Sequence, residues 1–191
     1  MMPDIQAIAA QLPKGKLPPV ETWQPDFSGA LDMRIDRDGT WHYQGSPIKR
    51  PAMVKLFASI LRRDADQTYY LVTPVEKFSI TVDDAPFQAV AMTVHGSGRE
   101  QVLTFRSNVD DEVMAGPEHA IRMEIDPETE EPSPYVHIRG RLEALISRAI
   151  FYDLVDLAVE ETVDGGSQLG VWSAGVFFPF ASPDGASGVI S

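Results

Sequence analysis

Met33-Arg34-Ile35-Asp36 recurs ninety positions later as Met123-Glu124-Ile125-Asp126. Each tetrapeptide is followed by a short stretch containing aromatic residues and then by an apolar segment of helical period. A chain that repeats the same order of pieces is constrained to build one supersecondary unit twice. With one single-residue gap the second half of the repeat aligns at an offset of 89. Arg50 then meets Arg139, Met53 meets Leu142, Leu56 meets Leu145, Phe57 meets Ile146, Ile60 meets Ala149, Leu61 meets Ile150 and Asp64 meets Asp153. Five of these seven pairs are apolar at i, i+3, i+4, i+7 and i+8, the spacing of one helix face. Convergence is the alternative, because any two core-facing helices share such a stripe.

The repeat predicts an α+β fold of two similar small domains, each an antiparallel sheet packed with a helix. The expected divisions are 1–30 for an N-terminal helix and proline-rich strap, 31–107 for the first repeat, 108–180 for the second with an acidic connector, and 181–191 for a flexible tail. A chain of 191 residues that is 43% hydrophobic can supply the cores this requires.

Ile5, Ile8, Ala9 and Leu12 suggest a short first helix stopped by Pro13, and Pro13, Pro18, Pro19 and Pro25 predict an extended strap. Asp38-Gly39, between Leu31–Ile35 and Thr40–Tyr43, is a hairpin signal, since the pair tolerates the positive φ of a tight turn. Pro51 suits a first helical turn, where its missing N–H costs nothing, and the helix is expected to run to Arg63. Strands are expected at Thr68–Thr73, Lys77–Val82, Phe87–His95 and Gln101–Arg106. In the second copy they are expected at Ile121–Ile125, Tyr135–Ile138 and Leu169–Phe178, with a long helix from Arg141 to Glu160.

The net charge of −12 is concentrated in one place: residues 108–131 carry one basic and nine acidic side chains. An acidic chain without a basic face repels phosphate backbones, so nucleic acid is a poor partner. The run from Asp110 to Glu131 reads as a solvated connector between units, with docking of a basic partner as the sharper alternative. Cysteine is absent, which excludes disulfides and thiolate chemistry. No stretch approaches the roughly 20 apolar residues of a membrane helix, and Met1–Leu12 does not read as a secretory signal. A cytoplasmic location with no membrane partner is the expectation.

No catalytic signature emerges. His42, His95, His119 and His137 form no helical ligand pair, so no metal is expected. Asp36-x-Asp38-Gly39 has a calcium-loop flavour, but Arg34 stands where the first ligand belongs, and a hairpin turn explains it better. Gly170-Val171-Trp172-Ser173-Ala174-Gly175 comes near a nucleophile elbow, yet its first glycine is one residue too far away and no helix follows. Gly96-Ser97-Gly98 lies between strands and precedes no helix, so it is a hairpin loop rather than a phosphate cradle. Asp83-Asp84 and Glu160-Glu161 lack the apolar surroundings that raise a carboxyl pKa.

One placement does suggest binding. Lys49 and Arg50 precede the first helix, and Arg139 and Arg141 stand where the alignment puts the start of the second. Cations are unfavourable at the positive end of a helix unless an anion joins them. Either they are satisfied by internal salt bridges, to Glu76 or Glu143, or they hold a small anionic ligand in a cleft shared by the two copies. Trp172, beside Ser173, is the expected wall of such a cleft, although aromatic residues in strands more often belong to a core.

Several stretches resemble a bacterial family known only as domain of unknown function 1285. They include Asp38-Gly39-x-Trp41, Gly45-x-Pro47-Ile48, Leu56-Phe57-Ala58-Ser59-Ile60-Leu61, Tyr70-Leu71-Val72-Thr73-Pro74-Val75-Glu76 and Ala85-Pro86-Phe87. Tyr135-Val136, Arg148 to Leu154, and Val171-Trp172-Ser173-Ala174-Gly175 are similar too, so the likeness covers Leu31 to Phe178. The resemblance implies a two-domain α+β fold and a role in ligand binding or signal transduction, and it brings no catalytic residues or cofactor. The expected function is therefore a non-enzymatic module binding a small anionic ligand or a protein partner. A protein-interaction adaptor and a hydrolase using unidentified acids are the alternatives.

Overall fold

The computed structural model describes residues 7, 10 and 17–181. The expected first-helix positions Ile5, Ile8, Ala9 and Leu12, and the tail from 182 onward, lie outside the described residues. Two compact units result: residues 1–87 with 139–142, and residues 88–138 with 143–191. The division thus falls after Phe87, not after residue 107.

The first unit begins with a short 3-10 turn, Val20–Thr22, followed by β1 (Phe27–Ile35). In β1 Leu31, Met33 and Ile35 are buried and Asp32 and Arg34 are exposed, the period of two that gives a strand an inner and an outer face. Gly39 adopts φ +89° in the Asp-Gly turn, and β2 (Trp41–Tyr43) returns antiparallel with Ile35 opposite Trp41 and Arg34 opposite His42. The short β3 (Ser46–Pro47) precedes α1 (Pro51–Ser59), whose proline stands at the first turn as expected.

The helix stops at Ser59 instead of reaching Arg63. Leu61 and Arg62 are buried and pair with Leu71 and Tyr70, so β4 (Leu61–Arg63) joins β5 (Tyr69–Val72) and sheet pairing overrides helical period. With β6 (Lys77–Val82) the sheet order is β3-β2-β1-β6-β5-β4. Its β1–β6 pair is parallel and the others are antiparallel. The buried face carries Met33, Ile35, Trp41, Leu61, Leu71 and Phe78, and α1 contributes Phe57 and Ala58 to the core.

In the second unit β7 (Phe87–His95), β8 (Val102–Ser107), β9 (Glu112–Met114), β10 (Ile121–Ile125), β11 (Pro132–Arg139) and β12 (Leu142–Ile146) form a sheet of order β10-β11-β12-β7-β8-β9. After α2 (Arg148–Asp156), the strands β13 (Val159–Val163), β14 (Gly166–Ser173) and β15 (Val176–Pro179) make a smaller antiparallel sheet. Gly170 is required there, because a Cβ would collide with the Phe178 carbonyl oxygen and the Phe177 ring. The stretch expected as one strand, Leu169–Phe178, thus folds back at Ala174-Gly175.

The long second helix is corrected. Leu142, Ala144 and Ile146 are buried while Glu143 and Leu145 are less so, a strand pattern that the apolar Leu145 disguised as helical spacing. The helix starts at Ser147, whose hydroxyl accepts from the Ile150 amide. The aligned pairs Met53/Leu142, Leu56/Leu145 and Phe57/Ile146 therefore set helix against strand. What the two units share is a sheet with a helix and a buried methionine, Met33 in the interior strand β1 and Met123 in the edge strand β10. Residues 110–131 are likewise not a connector between units. They lie within the second unit, contain β9 and β10, and end in an exposed hairpin where Asp126 caps the amides of Glu128 and Thr129.

Among the described residues no helix is long and apolar enough to cross a membrane.

Candidate functional site

The outer face of the first sheet is polar because β1, β2 and β6 present Asp32, Arg34, Asp36, His42 and Thr81 on the side opposite the core. Asp32, Arg34, Asp36, His42 and Gly45 line an open groove of about 400 Å³. Arg34 forks onto Asp83 with three contacts of 2.6, 2.9 and 3.0 Å, so its charge is cancelled within the unit. This hydrogen-bonded pair raises Arg34 and holds the Asp83 carboxyl below the usual carboxylate range. Asp36 is held by the turn, accepting the Thr40 amide at 3.0 Å and the Asp38 amide at 3.2 Å, and its other oxygen lies 2.8 Å from Nε2 of His42. Asp38 is brought down to about 2, first by its hydrogen bond with Asp36 and then by the hydroxyl and amide of Thr40. Asp32 has no side-chain partner among the described residues. Gly45 adopts φ +79° with nothing within 4 Å of where a Cβ would stand, which keeps one wall of the groove low.

The other half of the same face is closed. Arg62, with only 6% of its side chain exposed, donates to the carbonyl oxygens of Val20 and Trp23 at 2.8 and 2.7 Å and forks onto Asp64 at 2.6 and 3.2 Å. Lys77 reaches the same carboxylate at 3.0 Å and lies 4.3 Å over the Tyr70 ring. Burial alone would raise Asp64, but Arg62 and Lys77 outweigh it and hold the carboxyl below its ordinary value. The strap is therefore fastened to the sheet by a buried arginine.

Family models match nearly the whole described chain: residues 18–85 match the N-terminal domain of DUF1285, a domain of unknown function, and residues 86–180 match its C-terminal domain, a protein of unknown function. The chain belongs to the DUF1285 family. A crystal structure of a DUF1285 family protein from Silicibacter pomeroyi is 54% identical, with a TM-score of 0.86, covering 95% of this chain and 96% of that one. A DUF1285 family protein from Shewanella baltica is 27% identical with a TM-score of 0.51, covering 66% of this chain and 91% of that one. No curated protein matches. The boundary between the two DUF1285 domains, at 85/86, nearly coincides with the division into compact units at 87/88.

In this DUF1285 chain the residues expected to bind divide between the units, Lys49, Arg50, Glu76, Arg139 and Arg141 in the first and Trp172 and Ser173 in the second. Lys49 and Arg50 are exposed at the start of α1, and neither has an ion-pair partner among the described residues. Glu76 takes part in a turn through its backbone, accepting the Thr73 amide and donating to the Thr73 hydroxyl. Arg139 ends a strand and does not start a helix; it donates to the Ala58 carbonyl at 2.6 Å and lies 5.2 Å over the Phe87 ring. Arg141 is exposed in the turn between β11 and β12. Glu143 pairs with Arg122, at 2.7 Å, and with neither Arg139 nor Arg141. Ser173 is fully buried and takes the Leu103 amide at 2.8 Å while donating to the Ala115 carbonyl at 2.7 Å, so it is structural. Trp172 donates its Nε1–H to Glu161 at 3.0 Å beneath Arg99, whose guanidinium lies 5.1 Å above the ring.

Two features escaped the sequence. The groove residues are spaced by two along β1 and meet His42 across the hairpin, and that alternation of Asp32, Arg34 and Asp36 was the available signal. The contact between His119 and His137 had none, because strand pairing joins residues 18 apart.

Proposed function

We propose that this DUF1285 protein is a cytoplasmic, non-enzymatic binding module whose site is the groove of the first unit. Its ligand is a small molecule bearing an amine or guanidinium. The charge balance of the groove supports this reading: with Arg34 neutralised by Asp83, and Asp36 engaged by the turn amides and by His42, the carboxylate of Asp32 remains, and a cation with several N–H donors complements it. His42 donates its Nε2–H to Asp36, which leaves Nδ1 as the ring's second hydrogen-bonding position. This reverses the sign of the ligand expected from Lys49, Arg50, Arg139 and Arg141. Signal transduction would follow if occupancy altered the β1–β2 hairpin.

Native mass spectrometry of freshly purified protein, wild type beside Asp32→Asn, tests the reading. A bound mass of a cationic metabolite that is retained by wild type and lost from the variant supports it. A retained mass that is anionic, or one equally present in the variant, sinks it.

A protein partner is the second reading. Tyr152 and Val155 on α2, with Val159 and Leu169 on the following hairpin, are exposed apolar side chains on the second unit.

A further inference from the structure

The pair with Asp83 cancels the charge of Arg34 and leaves most of its donors unused. A guanidinium carries five N–H groups in a fixed plane. The fork onto Asp83 is made by Nε at 2.9 and 3.0 Å and by Nη2 at 2.6 Å, which commits one edge of that plane. Among the described residues nothing accepts from Nη1, and 59% of the side chain is exposed. Nη1 and the second N–H of Nη2 therefore remain as a two-pronged donor on a side chain that lines the groove.

Asp32 stands two residues earlier on the same face of β1, about 7 Å along the strand. Among the described residues its carboxylate has no partner. The spacing of the two is fixed, because β1 is paired on both sides and the Gln44 amide holds the Asp32 carbonyl while Arg34 lies opposite both His42 and Thr81. An unused acceptor thus neighbours an unused two-pronged donor. A simple amine would occupy Asp32 and leave the Arg34 edge to water, and a simple carboxylate would do the reverse beside an unpaired anion. We propose that the ligand of the groove is a free α-amino acid, with its ammonium on Asp32 and its carboxylate across Nη1 and Nη2 of Arg34. This rests on the groove being the binding site, and it narrows the ligand from a cation to a zwitterion whose cationic end is the ammonium. Peptides are disfavoured, since no residue within a chain joins a free ammonium and a free carboxylate at one carbon. Gly45, with open space where a Cβ would stand, leaves room in the groove for the ligand's own side chain.

Arginine and agmatine differ only by the α-carboxylate, so together they isolate the Arg34 contact. The test is calorimetric titration of the full chain with each, wild type beside Arg34→Ala and Asp32→Asn. Wild type should bind arginine about tenfold more tightly than agmatine, the lower end of what hydrogen bonds to charged groups contribute. Arg34→Ala should abolish that preference without weakening agmatine, because it unpairs Asp83. Asp32→Asn should weaken both compounds. Equal affinity of wild type for the two, or a preference for arginine that survives in Arg34→Ala, would overturn the amino-acid assignment and leave the groove a cation site. Failure of both to bind would overturn the assignment together with the reading beneath it. Should Arg34→Ala fail to fold, wild type with argininamide decides: weaker binding than arginine supports the carboxylate contact, and equal binding refutes it.

Discussion

Two arginines on one face of the first sheet make opposite arrangements. Arg62 has 6% of its side chain exposed and Arg34 has 59%. Each forks onto an aspartate, yet Arg62 also takes two strap carbonyls and is covered, while Arg34 is left at the edge of an open groove. The difference teaches where stability and function divide on this face. A buried guanidinium must have every donor used, because its desolvation is otherwise uncompensated, whereas an exposed pair contributes little and can be kept for recognition.

Arg62→Ala is the largest expected effect. It leaves the Asp64 carboxylate with Lys77 alone, removes the Arg62 donor from the Trp23 carbonyl and leaves the Val20 carbonyl with only the Trp23 amide. A loss of about 3–5 kcal/mol in denaturant unfolding follows, with faster proteolysis between residues 17 and 26. A loss below about 1 kcal/mol would remove the distinction between the two halves of the face. Ser173→Ala comes next as a reference in the second unit. It orphans the buried Leu103 amide and Ala115 carbonyl and should cost about 1–3 kcal/mol, against no loss if the serine were a surface ligand.

The Asp64 prediction is smaller and depends on pH. Its folded pKa is depressed, so its contribution is complete above the unfolded value of about 4 and disappears as pH falls through the folded value. Wild type and Asp64→Asn should therefore differ in thermal stability at pH 7 and converge toward pH 2; a constant difference would count against the ion-pair account. Smallest of all is Arg34→Ala, expected to leave the unfolding midpoint close to that of wild type because its pair with Asp83 is exposed. A larger loss would mean that the groove is built as rigidly as the Arg62 corner.

Much of the first unit was legible in the sequence. Leu31, Met33 and Ile35 alternate with polar residues, and Asp38-Gly39 closes the hairpin by backbone chemistry that needs no tertiary context. The Leu142–Ile146 strand was not legible, because Leu145 completes an apolar spacing that a helix would also show, and only pairing in a sheet decides between them. Arg62 was equally hidden: its carbonyl partners lie 42 and 39 residues away, and nothing local marks it as buried. The candidate site was half legible. Asp36, Asp38 and Gly39 stood out as a turn, but the groove also needs Arg34 and His42 side by side, which is a fact of register. Of the two expected basic helix starts, Lys49-Arg50 does precede α1, whereas Arg139 stands at a strand end for the reason that the second helix begins later than expected.

The open half of this face is proposed to bind a cationic small molecule, and the strapped half is not. Amide NMR of the full chain titrated with agmatine, which carries both an amine and a guanidinium, tests it most directly. Saturable shifts confined to residues 32–36 and 42–45, abolished in Asp32→Asn and sparing residues 61–64, are the predicted result. Absence of saturable shifts, or shifts centred on Arg62 or unaffected by Asp32→Asn, would contradict the account.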